Sequence, residues 1–112
     1  MATGMDAGGF EITVEHDEDV ARLHLAGELD LARVEQLAEA VEAARASAAT
    51  LEIDLSRLIF IDSSGLRGLM AIHSAASMDG FSYTMIAGPP TVHRTFVLTG
   101  LDQVFRFSPP SG

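Results

Sequence analysis

The sequence predicts a single α/β domain: a small, mostly parallel sheet of four to five strands with an N-terminal antiparallel strand and helices packed against it. Three observations predict it. Short runs of alternating apolar and polar residues interleave with segments of helical periodicity. Two of the alternating runs stand next to each other near the start, joined by a short acidic stretch. The length, 112 residues, suits one hydrophobic core rather than two.

The elements follow in order. Residues 1–9 are small, Gly-rich and unpatterned and read as a tail; the domain spans 10–107, and 108–112 form a second tail. Phe10 to Val14 alternates as a half-buried strand does, and the acidic stretch Glu15, Asp17, Glu18, Asp19 reads as a hairpin turn. A second alternation, Val20 to Leu25, ends near Gly27. Asp30 stands at an N-cap position before an amphipathic helix over residues 31–47, with Val34, Leu37, Ala38, Val41, Ala44 and Ala48 on one face. Thr50 to Leu55 is a third strand, and Arg57 to Ile61 leads into Asp62-Ser63-Ser64-Gly65, where a second helix starts. Leu66, Leu69, Met70, His73 and Ala76 or Ser77 mark its inner stripe, and Asp79-Gly80 stops it. Ser82 to Ala87 is a fourth strand. Gly88-Pro89-Pro90 breaks the chain, Thr91 caps a third helix to about Leu98, and Leu101 to Phe105 forms a short last helix. Strands alternating with helices require crossovers, hence a mainly parallel sheet.

Composition narrows the function. Sixteen acidic residues against seven basic ones give a formal net charge of -9. That balance argues against nucleic acid and an anionic membrane as direct partners, because phosphate binding needs a basic face. No apolar run approaches the roughly 20 residues of a membrane span, and the N-terminus lacks the basic start and apolar stretch of a secretory signal, so a cytoplasmic location is expected. Cysteine is absent, which removes disulfides, thiolate zinc sites and cysteine nucleophiles together. The four histidines, His16, His24, His73 and His93, form no pair at metal-ligand spacing, and His73 reads as a partly buried packing residue. There is no nucleophile elbow and no phosphate-cradling loop. No metal, cofactor or catalytic residue is expected, and the chain reads as a binding protein rather than an enzyme.

The informative segment is I-D-L-S-R-L-I-F-I-D-S-S-G-L-R-G-L, residues 53–69. It delivers hydroxyls to the start of a helix, where unsatisfied amides and the helix dipole tolerate negative charge. A serine phosphorylated there gains about -1.5 to -2 charge and three acceptor oxygens. The tetrapeptide alone is equally an ordinary helix cap, and Gly65 and Gly68 are equally packing glycines.

This segment resembles the signature of STAS domains, particularly those of bacterial anti-sigma-factor antagonists. Three other pieces match in order: Leu25-Ala26-Gly27-Glu28-Leu29-Asp30, Ala87-Gly88-Pro89-Pro90, and Leu98-Thr99-Gly100-Leu101-Asp102-Gln103-Val104-Phe105. Together they cover residues 10 to about 107. The resemblance implies a partner, an anti-sigma factor that is itself a serine kinase, and a phosphoacceptor, Ser63, with Ser64 as the second candidate. The unphosphorylated form would bind the anti-sigma factor and free the sigma factor; the phosphorylated form would let go. It also implies that Asp30 and Asp62 lie near Ser63, where they repel an added phosphate, orient the hydroxyl or bind a partner's arginine. Their structural readings are capping for Asp30 and turn formation for Asp62. Gly65 and Arg67 complete the expected switch surface, Arg67 at a position suited to tune partner choice. The alternative is a non-switching STAS scaffold subunit of a stressosome-like or lipid-transport complex. The oligomeric state is open between monomer and homodimer.

Overall fold

The computed structural model describes residues 9–108; the outer parts of both expected tails lie outside them. Strands β1 (Phe10–Asp17), β2 (Val20–Leu29), β3 (Thr50–Ile61) and β4 (Ser82–Ile86) form one sheet in the order β1-β2-β3-β4. β1 runs antiparallel to β2, and β2, β3 and β4 are mutually parallel. Helices α1 (Val34–Arg45), α2 (Ser63–Asp79) and α3 (Pro90–Thr99) supply the crossovers and the C-terminal cover. The predicted fold class is therefore the observed one.

The alternation of β2 explains the layering. Ala21, Leu23, Leu25 and Leu29 are buried, while Arg22, His24, Ala26 and Glu28 between them are only partly covered. The inward set meets Leu37, Val41 and Ala44 of α1, Leu66, Leu69, Ile72 and Ala76 of α2, and Val92 and Phe96 of α3 in one core cluster. Phe96 packs edge-on against Phe105 and Phe107, with ring centroids 5.5 and 5.4 Å away, which seals the core beneath the C-terminal segment. Phe107 also bridges to Met85 in parallel, and Ser108 N–H donates to the Met85 carbonyl at 2.7 Å. Among the described residues this bridge is all that is seen of a fifth strand.

Several boundaries differ from the sequence expectation. The hairpin turn contracts to Glu18 and Asp19, with Glu18 at φ 56°, so Glu15 and Asp17 belong to β1. Asp30 caps a 3-10 turn, Leu31–Arg33, and α1 proper starts only at Val34. Ala38, expected on the inner face of α1, is exposed. On α2 the inner stripe runs through Ile72; Met70 and His73 are half-buried and Ser77 is exposed. Thr91 does not cap α3: Pro89 occupies the cap position and Pro90 begins the helix, where a missing N–H costs nothing. The last helix shrinks to a 3-10 turn, Leu101–Gln103.

β3 is one unbroken strand of 12 residues, and two irregularities in its pairing with β2 explain why its sequence reads as two pieces. His24 pairs with Asp54 but Ala26 with Arg57, and Gly27 pairs with Leu58 but Glu28 with Phe60. Each shift inserts an extra β3 residue and breaks the period of two, so the buried positions are Leu55, Leu58 and Ile61. β4 pairs with β3 only as far as Asp54, so the C-terminal half of β3 projects past it toward the start of α2.

Candidate functional site

The C-terminal ends of β2 and β3 lie side by side. Leu29 pairs with Ile61, and the next residue, Asp62, donates its N–H to the Leu29 carbonyl at 3.3 Å. Asp30 and Asp62 therefore leave neighbouring parallel strands at the same edge of the sheet, each to start a helical segment. The Asp62 carboxylate accepts from Gly65 N–H at 2.8 Å and its carbonyl accepts from Leu66 N–H at 3.0 Å, making it the N-cap of α2 rather than a simple turn residue. The Asp30 carboxylate accepts from Ala32 N–H at 3.1 Å and from Arg33 Nη1 at 3.0 and 3.2 Å. The Arg33 guanidinium thus offsets one of the two negative charges at this edge.

Ser63 is the first residue of α2 and is exposed. Ser64 is half-buried, and its hydroxyl accepts from Arg67 Nη2 at 3.5 Å. Gly65 is buried, because the start of α2 lies almost on β2: a Cβ there would sit 2.5 Å from the Leu29 carbonyl oxygen and 2.9 Å from Ile61 Cγ1. Gly68 serves α1 rather than the sheet, its missing Cβ leaving 3.2 Å to Val34 Cγ1. Arg67 is exposed on the outer side of α2. Thus the structure brings Asp30, Asp62, Ser63, Ser64 and Gly65 to one edge, with Arg67 one turn along the same helix.

Sequence reasoning missed the apolar rim of this edge. Leu31, Ile59 and Phe60 are 71, 66 and 47 % exposed. Leu31 follows Asp30, and Ile59 and Phe60 sit on the projecting end of β3 just before Ile61-Asp62. Side chains of this size left in water beside an exposed serine are the anchors expected of a protein-binding surface. The sequence reads Arg57 to Ile61 only as the lead into Asp62-Ser63, and the irregularities of β3 that turn Ile59 and Phe60 outward carry no signal of their own in the alternation.

A second polar cluster was also missed. On the sheet face away from the helices, the His24 ring is bracketed by Glu15 Oε1 at Nε2 and Asp54 Oδ2 at Nδ1, each at 2.7 Å. Hydrogen bonds to the Glu15 and Asp54 carboxylates hold the imidazole above its ordinary pKa, outweighing the opposing effect of burial. Burial raises the Asp54 pKa, but hydrogen bonds from the Ser56 backbone and hydroxyl and from His24 outweigh it, and the net direction is down. These partners come from strands on either side and share no sequence spacing. Among the described residues no group of side chains is arranged to hold a metal ion. His73 packs as expected: its Nδ1 lies 2.6 Å from the buried Tyr83 hydroxyl, and its ring meets Tyr83 and Phe105 edge-on.

Comparison with known proteins places this architecture. The family model described as "Mlab, STAS domain" matches residues 12–106. The anti-sigma-F factor antagonist RsfB of Mycobacterium tuberculosis is 33% identical over 96 residues, covering 85% of this chain and 78% of that protein. This chain is a STAS-domain protein of the anti-sigma-factor antagonist family. The crystal structure of an anti-sigma factor antagonist from Mycobacterium paratuberculosis superimposes with a TM-score of 0.78 at 30% identity, covering 90% of this chain and 86% of that one. Unphosphorylated SpoIIAA shares the STAS fold, with a TM-score of 0.71 at 24% identity over 88% of this chain and 89% of that one. Among the described residues, no helix of the STAS domain is long and apolar enough to cross a membrane.

Proposed function

We propose that this STAS domain binds an anti-sigma factor that is a serine kinase, so freeing a sigma factor in the cytoplasm, and that phosphorylation of Ser63 ends the complex. The observation that carries this reading is the exposed Ser63 hydroxyl at the head of α2, flanked by two capping carboxylates and rimmed by exposed Leu31, Ile59 and Phe60. The apolar rim supplies the area that a partner must cover. A phosphate on Ser63 at the same edge would place about two added negative charges where a partner buries them on association, at a desolvation cost the folded domain alone does not bear. Asp62 adds like charge nearby and sharpens the effect, whereas the charge of Asp30 is offset by Arg33. The chain itself needs no catalytic group: the Ser63 oxygen attacks the γ-phosphorus of ATP held by the kinase, the bond to the β-phosphate oxygen breaks, ADP departs, and the hydroxyl proton passes to a base of the kinase.

The test is intact-mass measurement after incubation with ATP and candidate anti-sigma kinases from the same organism, with Ser63→Ala as control. One added phosphate that the variant lacks is the expected result. Stable complexes without any added phosphate would overturn the switch in favour of a STAS scaffold subunit.

A further inference from the structure

We infer that Arg67 is the built-in counter-ion of a phosphate on Ser63, so that phosphorylation draws the Arg67 guanidinium across the head of α2 and removes a cation from the binding surface as it adds an anion. The inference rests on the reading of Ser63 as the phosphoacceptor and deepens it. Arg67 lies four residues after Ser63 on the same helix, the spacing at which side chains are neighbours, about 5–6 Å between Cβ atoms. The order is the favourable one, with the anion N-terminal to the cation. The guanidinium already leans toward the head of the helix, where Nη2 donates to Ser64 Oγ in a long, 3.5 Å contact. Among the described residues it makes no ion pair, in contrast to Arg22, Arg33 and Arg45. The acids at this edge do not claim it: the Asp62 carboxylate is committed to Gly65 N–H and that of Asp30 to Ala32 N–H and Arg33. An arginine fork without a carboxylate, one helical turn from an exposed serine, is suited to the oxygens of a phosphate.

The experiment uses the full chain with phosphoserine incorporated at position 63 during synthesis, so that no kinase is required. Phosphorus NMR follows the second ionisation of the phosphate as a function of pH at low salt. Arg67→Gln is expected to raise that pKa by about 0.2–0.4 of a unit, the shift that the strength of such a helical pair converts to. Arg67→Lys should restore part of the difference, and Arg94→Gln, on α3, should leave the value unchanged. An Arg67→Gln titration that superimposes on that of Arg94→Gln overturns the assignment. Such a result leaves the kinase reaction intact, whereas failure of every kinase to modify Ser63 would sink the switch without changing the titration.

Discussion

At Gly65 a single hydrogen atom separates α2 from the carbonyl of Leu29, and this contact fixes where Ser63 stands. Alanine at this position would push its methyl into backbone rather than a yielding side chain. Gly65→Ala should therefore cost about 1–3 kcal/mol in urea unfolding, the range of core overpacking. Gly68→Ala meets only the half-buried Val34 at 3.2 Å and gains helix propensity, so it should be nearly neutral. Comparable losses for the two variants would contradict the packing described. Ser63 itself touches nothing that stability needs. Ser63→Ala and Ser63→Asp should both unfold within about 0.5 kcal/mol of the parent, as exposed positions do. Their affinities for the anti-sigma factor should nevertheless diverge, with the Asp variant weaker by calorimetry; equal affinities would refute the switch. These residues were legible because the motif is contiguous in the chain. The exposed Phe60 was not, since its direction depends on a strand irregularity that no local propensity announces.

Elements here are tied by side chains from neighbouring strands and turns. Asp62 caps α2 through Gly65 N–H; Asp62→Ala should destabilise by about 1 kcal/mol, and Asp62→Asn, which keeps an acceptor, by much less. Equal loss in both would point to the charge rather than the hydrogen bond. The His24 cluster links β1, β2 and β3, and its contribution depends on pH in a definite sense. His24 has a folded pKa above its ordinary 6.5, so its stabilisation is full below that value and is lost as pH rises through the folded pKa. Asp54 has a folded pKa below its ordinary 3.8, so its contribution is present above that value and is lost as pH falls through the folded pKa. The difference in stability between the parent and His24→Gln should therefore be largest between about pH 4.5 and 6, and should shrink toward pH 8. A difference independent of pH would show that the imidazole acts only by packing. The existence and order of the elements were readable from periodicity, since most strands and helices bury one face. The ends were less so: the 3-10 turn before α1 and the proline start of α3 reflect tertiary fit, and the alternation of β3 fails at the two places where its register shifts.

Across the whole molecule the sheet separates two ends with different tasks. At one end β2 and β3 deliver Asp30, Asp62 and Ser63 among exposed apolar side chains. At the other, Arg45 near the end of α1 pairs with Asp79 at 3.1 Å and with Glu42 at 3.6 Å, and lies 4.2 Å over the Phe81 ring, joining α1, α2 and the entry to β4. Between them runs the length of α2, 17 residues or about 25 Å at 1.5 Å per residue. Tyr83 braces the middle: its hydroxyl meets His73 and accepts from Arg106 N–H at 3.3 Å, and burial pushes its pKa up. A charge added at Ser63 thus acts on a support fixed at several independent points, and its field is screened within about 8–10 Å at physiological salt. The change should be one of surface, not of fold. In amide NMR spectra, phosphorylation or Ser63→Asp should move resonances of residues around 28–34 and 59–70 and leave Arg45, Asp79 and Phe81 in place. Arg45→Ala should do the converse, destabilising the domain through lost packing on Phe81 and the lost pair with Asp79 while leaving affinity for the partner unchanged. Shifts propagating from Ser63 to the Arg45 end would mean that the domain has two global arrangements, and that the switch works by selecting between them rather than by altering one edge.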